Sequence, residues 1–409
     1  MEPKIRFKGF EGEWKTPSIG DVFELRNGYT PSKIVKEFWE GGTIPWFRME
    51  DIRINGGFLK DALQHITPLA VKGAGLFEKN SIILATTATI GVHAMLIADS
   101  LANQQFTNFK VRKSLSDEYI DEFIYYSFFK IDEWSKNNTN SGGLLSVNMP
   151  LLVKQGFLTP CKEEQQTIAS YFRILDAKLQ ASAKKVESLK KLKSASLVAM
   201  FPQNGESTPK VRFKGFEGEW RRIKFGTISS RITRRNNTLE CKLPLTISAN
   251  EGLISQEKFF KNIVASSNLG NYYLLKRGEF AYNKSYSNGY PFGAIKRLDK
   301  YDSGVLSPLY ICFGIHDEVD SDYICFFFET TLWHKDVAER ATEGARNHGI
   351  LNIGTEDFFD IDIMIPESKE EQQAIAAYFR SLDRKIALET ARLEKLKQIK
   401  LACLYKMFV

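Results

Sequence analysis

The chain repeats itself at long range. PKIRFKGFEGEW at residues 3–14 returns as PKVRFKGFEGEW at residues 209–220, with Ile5 exchanged for Val211. A period of half the chain is far longer than the roughly 20 to 50 residues of solenoid or propeller units, so it implies a duplicated domain. A second echo closes each copy: KEEQQTIASYFRILDAKL at 162–179 matches KEEQQAIAAYFRSLDRKI at 369–386. Each follows a proline, Pro160 or Pro366, that ends an apolar stretch. The match continues through LKKLK (189–193) against LKQIK (396–400), and AMF (199–201) against KMF (406–408). Any fold must therefore be two copies of one plan: a tag, a variable block and a long closing segment.

The closing segments are predicted helices. Ile168, Phe172, Leu175, Leu179, Val186 and Leu189 recur at steps of three and four, with Ser182 filling one step. Ile375, Phe379, Leu382, Ile386, Leu393 and Leu396 repeat them position for position, with Glu389 at the serine's step. A sustained 3.5-residue apolar repeat is the seam of a coiled coil, and a polar residue within it is a register device. Ser368 and Glu371 fit a capping box at the second helix start, whereas Cys161 takes the serine's place in the first copy. A helix of some 40 residues is about 60 Å long and needs a partner for its stripe. The obvious partner for each helix is the other, which gives a pseudo-two-fold arrangement.

The variable blocks share a skeleton. Gly20 and Gly226 fall at the same offset from their tags. SIILATT (81–87) and EFAYNKS (279–285) are predicted strands that run into polar loops and then a glycine, Gly91 or Gly293. DEYIDEFIYYSFF (117–129) and SDYICFFFETTLW (321–333) are predicted helices, and their aromatics recur at helical spacing, which places them in the core. Each block then reaches a glycine-rich loop (TNSGG; TEGARNHG) and a short strand (LLSVNM; ILNIG).

Chemistry-bearing patterns are missing. There is no phosphate-binding G-x-x-x-x-G-K-[ST], no G-x-G-x-x-G after a strand and no G-x-S-x-G. Ser307-Pro308-Leu309-Tyr310 approaches an amino-methyltransferase motif but lacks its second proline, and is expected to be a turn into a strand. Asp360 and Asp362 alternate along a predicted strand and are expected to be solvated. Five scattered cysteines without C-x-x-C argue against a zinc ribbon, and the odd count against a disulfide framework. No apolar run approaches a membrane span and no leader opens the sequence, so a soluble, cytoplasmic protein is expected. The net charge of +7 leans toward a polyanionic partner.

The loops contain side chains suited to that partner. Arg pairs bidentately with guanine and Asn or Gln with adenine, while Lys, Ser and Thr hold phosphates. The first block offers Asn27, Tyr29, Thr30, Ser32 and Lys33, then Arg48 and Arg53, Thr87 and Thr89, and Asn103, Gln104 and Gln105. The second offers Arg231, Arg234, Arg235 and Asn236, then Asn283, Lys284, Ser285, Tyr286 and Asn288, and finally Arg346, Asn347 and His348. A single polar loop is ordinary. Recurrence at corresponding points of both blocks is what marks these residues as candidate DNA contacts.

With tags, blocks and helices together, the whole chain resembles the specificity (S) subunit of type I restriction–modification systems. The residues that carry the resemblance are Trp14, residues 19–23, the G-x-T-P-S turn at 28–32, Pro45-Trp46, Asn103-Gln104-Gln105 and the twin EEQQ helices. The second block lacks both the turn and the NQQ, which fits a different target. The resemblance implies a mixed α/β (α+β) fold with two globular target recognition domains (1–160 and 205–366). Two long antiparallel coiled-coil helices (161–204 and 367–409) join them, in a pseudo-two-fold internal duplication.

The same resemblance implies that the chain reads a bipartite, asymmetric site in double-stranded DNA, with the helices as ruler. The expected partners are two methyltransferase (M) subunits and restriction/motor (R) subunits. S-adenosylmethionine, ATP and Mg²⁺ are expected on those partners, with no cofactor and no catalysis in this chain. A second reading, a non-catalytic pseudo-symmetric scaffold without direct base readout, explains the duplication but not the paired Arg/Asn/Gln loops. A self-contained DNA-modifying enzyme is disfavoured by the missing motifs.

Overall fold

A computed structural model describes residues 3–73, 75–140, 145–203, 205–248, 251–260, 269–285, 289–341 and 353–408. The chain divides into two compact units, Met1–Ala183 with Thr390–Val409, and Lys184–Glu389.

Unit 1 contains strands β1 (Phe23–Asn27), β2 (Ile44–Phe47), β3 (Phe58–Leu59), β4 (Ser81–Ala85), β5 (His93–Leu96), β6 (Leu101–Ala102) and β7 (Phe106–Val111). Five form one sheet in the order β1-β7-β4-β5-β3. β7 runs antiparallel to both β1 and β4, while β2 pairs in parallel with β6. β4 is central and buried along its whole length, which is why its IILA run is apolar without alternation. Short helix α1 (Met49–Asn55) follows β2, and helix α2 (Asp121–Asn137) packs on the sheet. There Phe128 meets Phe23 and Phe109 edge-on at 5.6 and 5.3 Å, so the aromatics of this helix are core, as their spacing predicts.

Unit 2 rebuilds the plan. Its strands include β8 (Ser229–Arg231), β9 (Leu245–Ser248), β10 (Tyr273–Lys276), β11 (Phe280–Asn283), β12 (Ala294–Arg297), β13 (Ser303–Leu306) and β14 (Ile311–Ile315). Four of them form a sheet in the order β8-β14-β11-β12, the counterparts of β1, β7, β4 and β5. The predicted helix over 321–333 is shorter than expected: α4 covers Ser321–Phe327 only. The Thr330 hydroxyl donates to the Phe327 carbonyl at 2.6 Å and accepts from the Leu332 amide at 3.3 Å, offering the backbone an alternative to the helical ladder.

The closing segments are the long helices α3 (Lys162–Ala199) and α5 (Lys369–Met407). Within each unit a half of one lies antiparallel to a half of the other. In unit 1, the Tyr171 hydroxyl is 3.4 Å from Cys403 Sγ and Lys400 Nζ donates to Asp176 at 2.5 Å. In unit 2, Tyr378 meets Ser196 at 2.9 Å and Lys193 Nζ donates to Asp383 at 2.6 Å. The same contacts thus occur in both units with the helices' roles exchanged. Ile168, Phe172, Leu175, Val186, Ile375, Phe379 and Leu382 are buried, and Leu179, Leu189, Ile386, Leu393 and Leu396 are half-buried. The polar seam members Ser182 and Glu389 are buried too, and Glu389 lies 3.0 Å from Lys185 Nζ. Burial works against the charge on Lys193, but Glu329 and Asp383 outweigh it and hold the ammonium above its usual pKa. No helix among the described residues is long and apolar enough to cross a membrane.

The two duplicated sequences meet each other. In unit 1, Arg6 of the tag grips Glu164 of EEQQ through two hydrogen bonds of 2.8 and 2.7 Å, and donates as well to the carbonyls of Gly12 and Glu11. In unit 2, Arg212 does the same to Glu371 at 2.7 and 2.7 Å, with Gly218 and Glu217 supplying the carbonyls. The neighbouring glutamine ties in the variable block. Gln165 accepts from the Ile120 amide at 3.0 Å and Gln372 from the Asp320 amide at 2.8 Å. The tag also closes on a helix end: the Ile5 amide donates to Lys406 and the Val211 amide to Ala199, at 3.0 and 2.9 Å. Only half of the expected capping box forms. The Glu371 amide takes the Ser368 hydroxyl at 3.1 Å, but the Glu371 carboxylate is committed to Arg212.

Glu371 is 2% exposed, so removing its partner strands a buried charge. Arg212→Ala is expected to cost about 3 to 5 kcal/mol in urea unfolding. Adding Glu371→Gln should recover part of that loss. A single variant as stable as the parent would show that the pair does not hold the tag.

Candidate nucleic-acid interface

In unit 1, four polar segments converge at one end of the sheet. β1 ends at Asn27, and the chain turns at Gly28 directly against the residues that follow β6. A Cβ on Gly28 would lie 2.2 Å from the Asn103 carbonyl oxygen, so this approach excludes any side chain. The Gly28 amide donates to Phe106 and the Tyr29 amide to Ala102, at 2.8 and 2.9 Å. Tyr29 is then fixed from both sides, since its hydroxyl donates to Ala70 at 3.0 Å and its carbonyl accepts from Trp46 Nε1 at 2.9 Å. The Thr30 hydroxyl donates to the Gln104 side chain, joining the G-x-T-P-S turn to NQQ.

The NQQ segment organises itself. Asn103 Oδ1 accepts from the Gln105 amide at 3.0 Å, and its amide nitrogen donates to Gln105 Oε1 at 3.3 Å. The Gln105 carbonyl receives the amides of Thr86 and Thr87 at 2.9 and 3.4 Å. A hydroxyl chain, Thr86 to Thr107 to Asn27, links the ends of β4, β7 and β1 at 2.9 and 3.0 Å. Arg48 comes directly after Phe47, whose carbonyl accepts from the Asn103 amide at 3.0 Å. Its Nε is buried with no hydrogen-bond partner among the described residues, and its outer nitrogen lies 3.3 Å from Glu50. The predicted residues Asn27, Tyr29, Thr30, Thr87, Asn103, Gln104, Gln105 and Arg48 therefore belong to one cluster. Ser32, Lys33 and Thr89 are exposed on its loops, and Arg53 is exposed in the last turn of α1.

Unit 2 places its candidates differently. Arg231 ends β8, with its guanidinium 3.5 Å from the Tyr273 hydroxyl, while Arg235 lies over the Tyr273 ring at 4.6 Å. Arg234 is held by Glu279 at 2.7 Å. Asn236 is a correction: it is fully buried, and its side chain is spent on the carbonyl and amide of Cys241 at 2.8 and 3.1 Å. It braces a loop and is no base contact. Asn283 caps the Ser285 amide at 3.0 Å, and Lys284 Nζ donates to the Ile353 carbonyl at 3.2 Å. Tyr286, Asn288, Arg346, Asn347 and His348 lie outside the described residues. Residues 307–310, expected to be a turn into a strand, lead from β13 into β14 as residues 103–106 lead from β6 into β7. Only strand order reveals that equivalence, because the side chains share nothing.

The family model for the type I restriction modification DNA specificity domain matches residues 11–191 and 311–398, well over half of the chain. The chain belongs to this family. It is similar to the type I restriction enzyme EcoprrI specificity subunit of Escherichia coli, 46% identical over 158 residues, 39% of this chain and 39% of that protein. It is also similar to the type I restriction enzyme MjaIX specificity subunit of Methanocaldococcus jannaschii, 30% identical over 185 residues, 44% of this chain and 42% of that protein. These matches span about two fifths of the length of the relatives. In fold the chain resembles the type I restriction–modification S subunit of M. genitalium, with TM-score 0.60 at 16% identity, covering 100% of this chain and 99% of that one. The stretch of unit 2 that the specificity-domain model leaves unmatched, 192–310, includes β8 to β13.

Gly28→Ala is expected to lower stability by about 1 to 3 kcal/mol in urea unfolding, because the backbone it would strike is pinned in β-bridges. Gly314→Ala, where nothing lies within 4 Å, is expected to cost nothing measurable. Equal behaviour of the two would show that the turn is not packed as described.

Proposed function

We propose that this chain is the DNA sequence-specificity subunit of a type I restriction–modification complex. Its two domains read the halves of a bipartite, asymmetric site in double-stranded DNA, and the antiparallel helices fix the gap. Half-sites read from one face lie about one helical turn, ~34 Å, or a multiple of it apart. The observation that carries this is the contrast between the two units: one strand order, with different polar turns at its ends. A scaffold that bound protein alone would have no need of different turns on equal frames.

Basic loops track phosphates and supply salt-sensitive affinity without sequence preference. Arg, Asn and Gln then contact base edges, each good bidentate pair contributing about 1 to 3 kcal/mol of discrimination. The chain carries no chemistry of its own. It docks two methyltransferase subunits, where an adenine is flipped for methylation, and through them the restriction subunits. S-adenosylmethionine, ATP and Mg²⁺ belong to those partners, and the complex works in the cytoplasm.

Exchanging residues 15–159 for the block of another family member is expected to change one half of the N6-methyladenine motif mapped across a genome. An unchanged motif contradicts the proposal. Lengthening both long helices by one turn is expected to change the gap and leave the letters of both halves alone. Filter binding of duplex DNA, with the methyltransferase present, should weaken steeply between 50 and 200 mM salt, by roughly a thousandfold for about six phosphate contacts.

A further inference from the structure

The turn at residues 307–310 carries an inference that rests on the DNA-reading function proposed above. It leads from β13 into β14, as residues 103–106 lead from β6 into β7. The two turns are closed by the same bonds. The Tyr310 amide donates to the Ser307 carbonyl at 3.1 Å, and the Phe106 amide to the Asn103 carbonyl at 3.1 Å. The side chain that opens each turn caps the residue two further on: Ser307 Oγ accepts from the Leu309 amide at 3.4 Å, Asn103 Oδ1 from the Gln105 amide at 3.0 Å. β14 pairs antiparallel with β8 and β11, as β7 does with β1 and β4. Residues 308 and 309 therefore stand where Gln104 and Gln105 stand in unit 1.

The chemistry at these positions is inverted. Gln104 and Gln105 carry amides that can pair with an adenine edge. Pro308 has no donor at all, and Leu309 offers only methyl groups. Leu309 is 75% exposed, the second most exposed of the large apolar side chains described. An isolated exposed leucine needs no explanation by itself. At the tip of a reading turn, though, it suits one base feature: the 5-methyl group of thymine, the only apolar group on the major-groove edges and one absent from the minor groove. We propose that Leu309 is a specificity-determining residue of unit 2 that selects thymine in its half-site by contact with the 5-methyl group.

The test uses the full chain with its methyltransferase subunit and duplexes carrying the methylated motif. The half-site of unit 2 is the one left unchanged when residues 15–159 are exchanged. If no such motif exists, the function proposed above has failed, before Leu309 is in question. With the motif known, each thymine of that half-site is replaced in turn by deoxyuridine, which removes the methyl group alone. Affinity is expected to fall about three- to tenfold at one position, the size set by burying a methyl against an aliphatic side chain. Leu309→Ala should lose a similar factor on the thymine duplex and be indifferent to deoxyuridine at that position. Gln104→Ala should keep the thymine preference. The proposal is overturned if the half-site holds no thymine on either strand, if every deoxyuridine duplex binds as well as its parent, or if Leu309→Ala keeps the preference. Indifference to deoxyuridine combined with weaker methyltransferase binding by Leu309→Ala would assign the leucine to a protein contact instead.

Discussion

The structure depends on a charge pair made twice. Arg6 with Glu164, and Arg212 with Glu371, join the duplicated tag to the first turn of the duplicated helix. Each carboxylate is almost wholly removed from water, and each guanidinium gives two further hydrogen bonds to carbonyls of its own tag. A buried pair of this kind gives little net stability over an apolar replacement, yet leaving one member alone is costly. Its use here is registry. The tag is locked to one place on the helix, and the glutamine beside each glutamate accepts from the amide at or just before the start of the block's helix. Both domains are therefore set on the long helices by the same short set of bonds.

That geometry explains why tag and EEQQ are the most faithfully repeated words in the chain. They are two faces of one joint. Once the joint is fixed, the sheet behind it follows the same strand order in both units, and the turns at its ends are free to differ. In unit 1 they differ by carrying amides and hydroxyls that bond to one another across β1, β4 and β7. In unit 2 they differ by carrying arginines around Tyr273 and a leucine on the turn before β14. Variation is thus separated from architecture. A turn at the end of the sheet can be rewritten without touching the charge pair, the seam or the central strand.

Much of the frame was legible from sequence because it is written in local periodicity. The seam follows from steps of three and four, and all twelve of its predicted apolar members are buried or half-buried. The aromatics of 117–129 fall in the core for the same reason. The joint was not legible, since Arg6 and Glu164 are 158 residues apart and nothing local says that they meet. The site was half legible. GYTPS and NQQ stand out by composition and do cluster, but Asn236 stands out equally in its RRNN run and is buried as a brace. Residues 307–310 escaped for the opposite reason. Their apolar side chains hide the equivalence with residues 103–106, which only the strand order discloses, because polar composition is what makes a loop stand out in sequence.

The central claim is that the repeated segments mount the domains and the differing turns touch DNA. Hydrogen–deuterium exchange on the chain together with the methyltransferase subunit proposed for it, with and without the target duplex, tests it most directly. The account predicts added protection on the duplex at residues 27–33, 86–89, 103–105 and 307–310, and none at the tags 3–14 and 209–220. Protection confined to the tags and the long helices would contradict it.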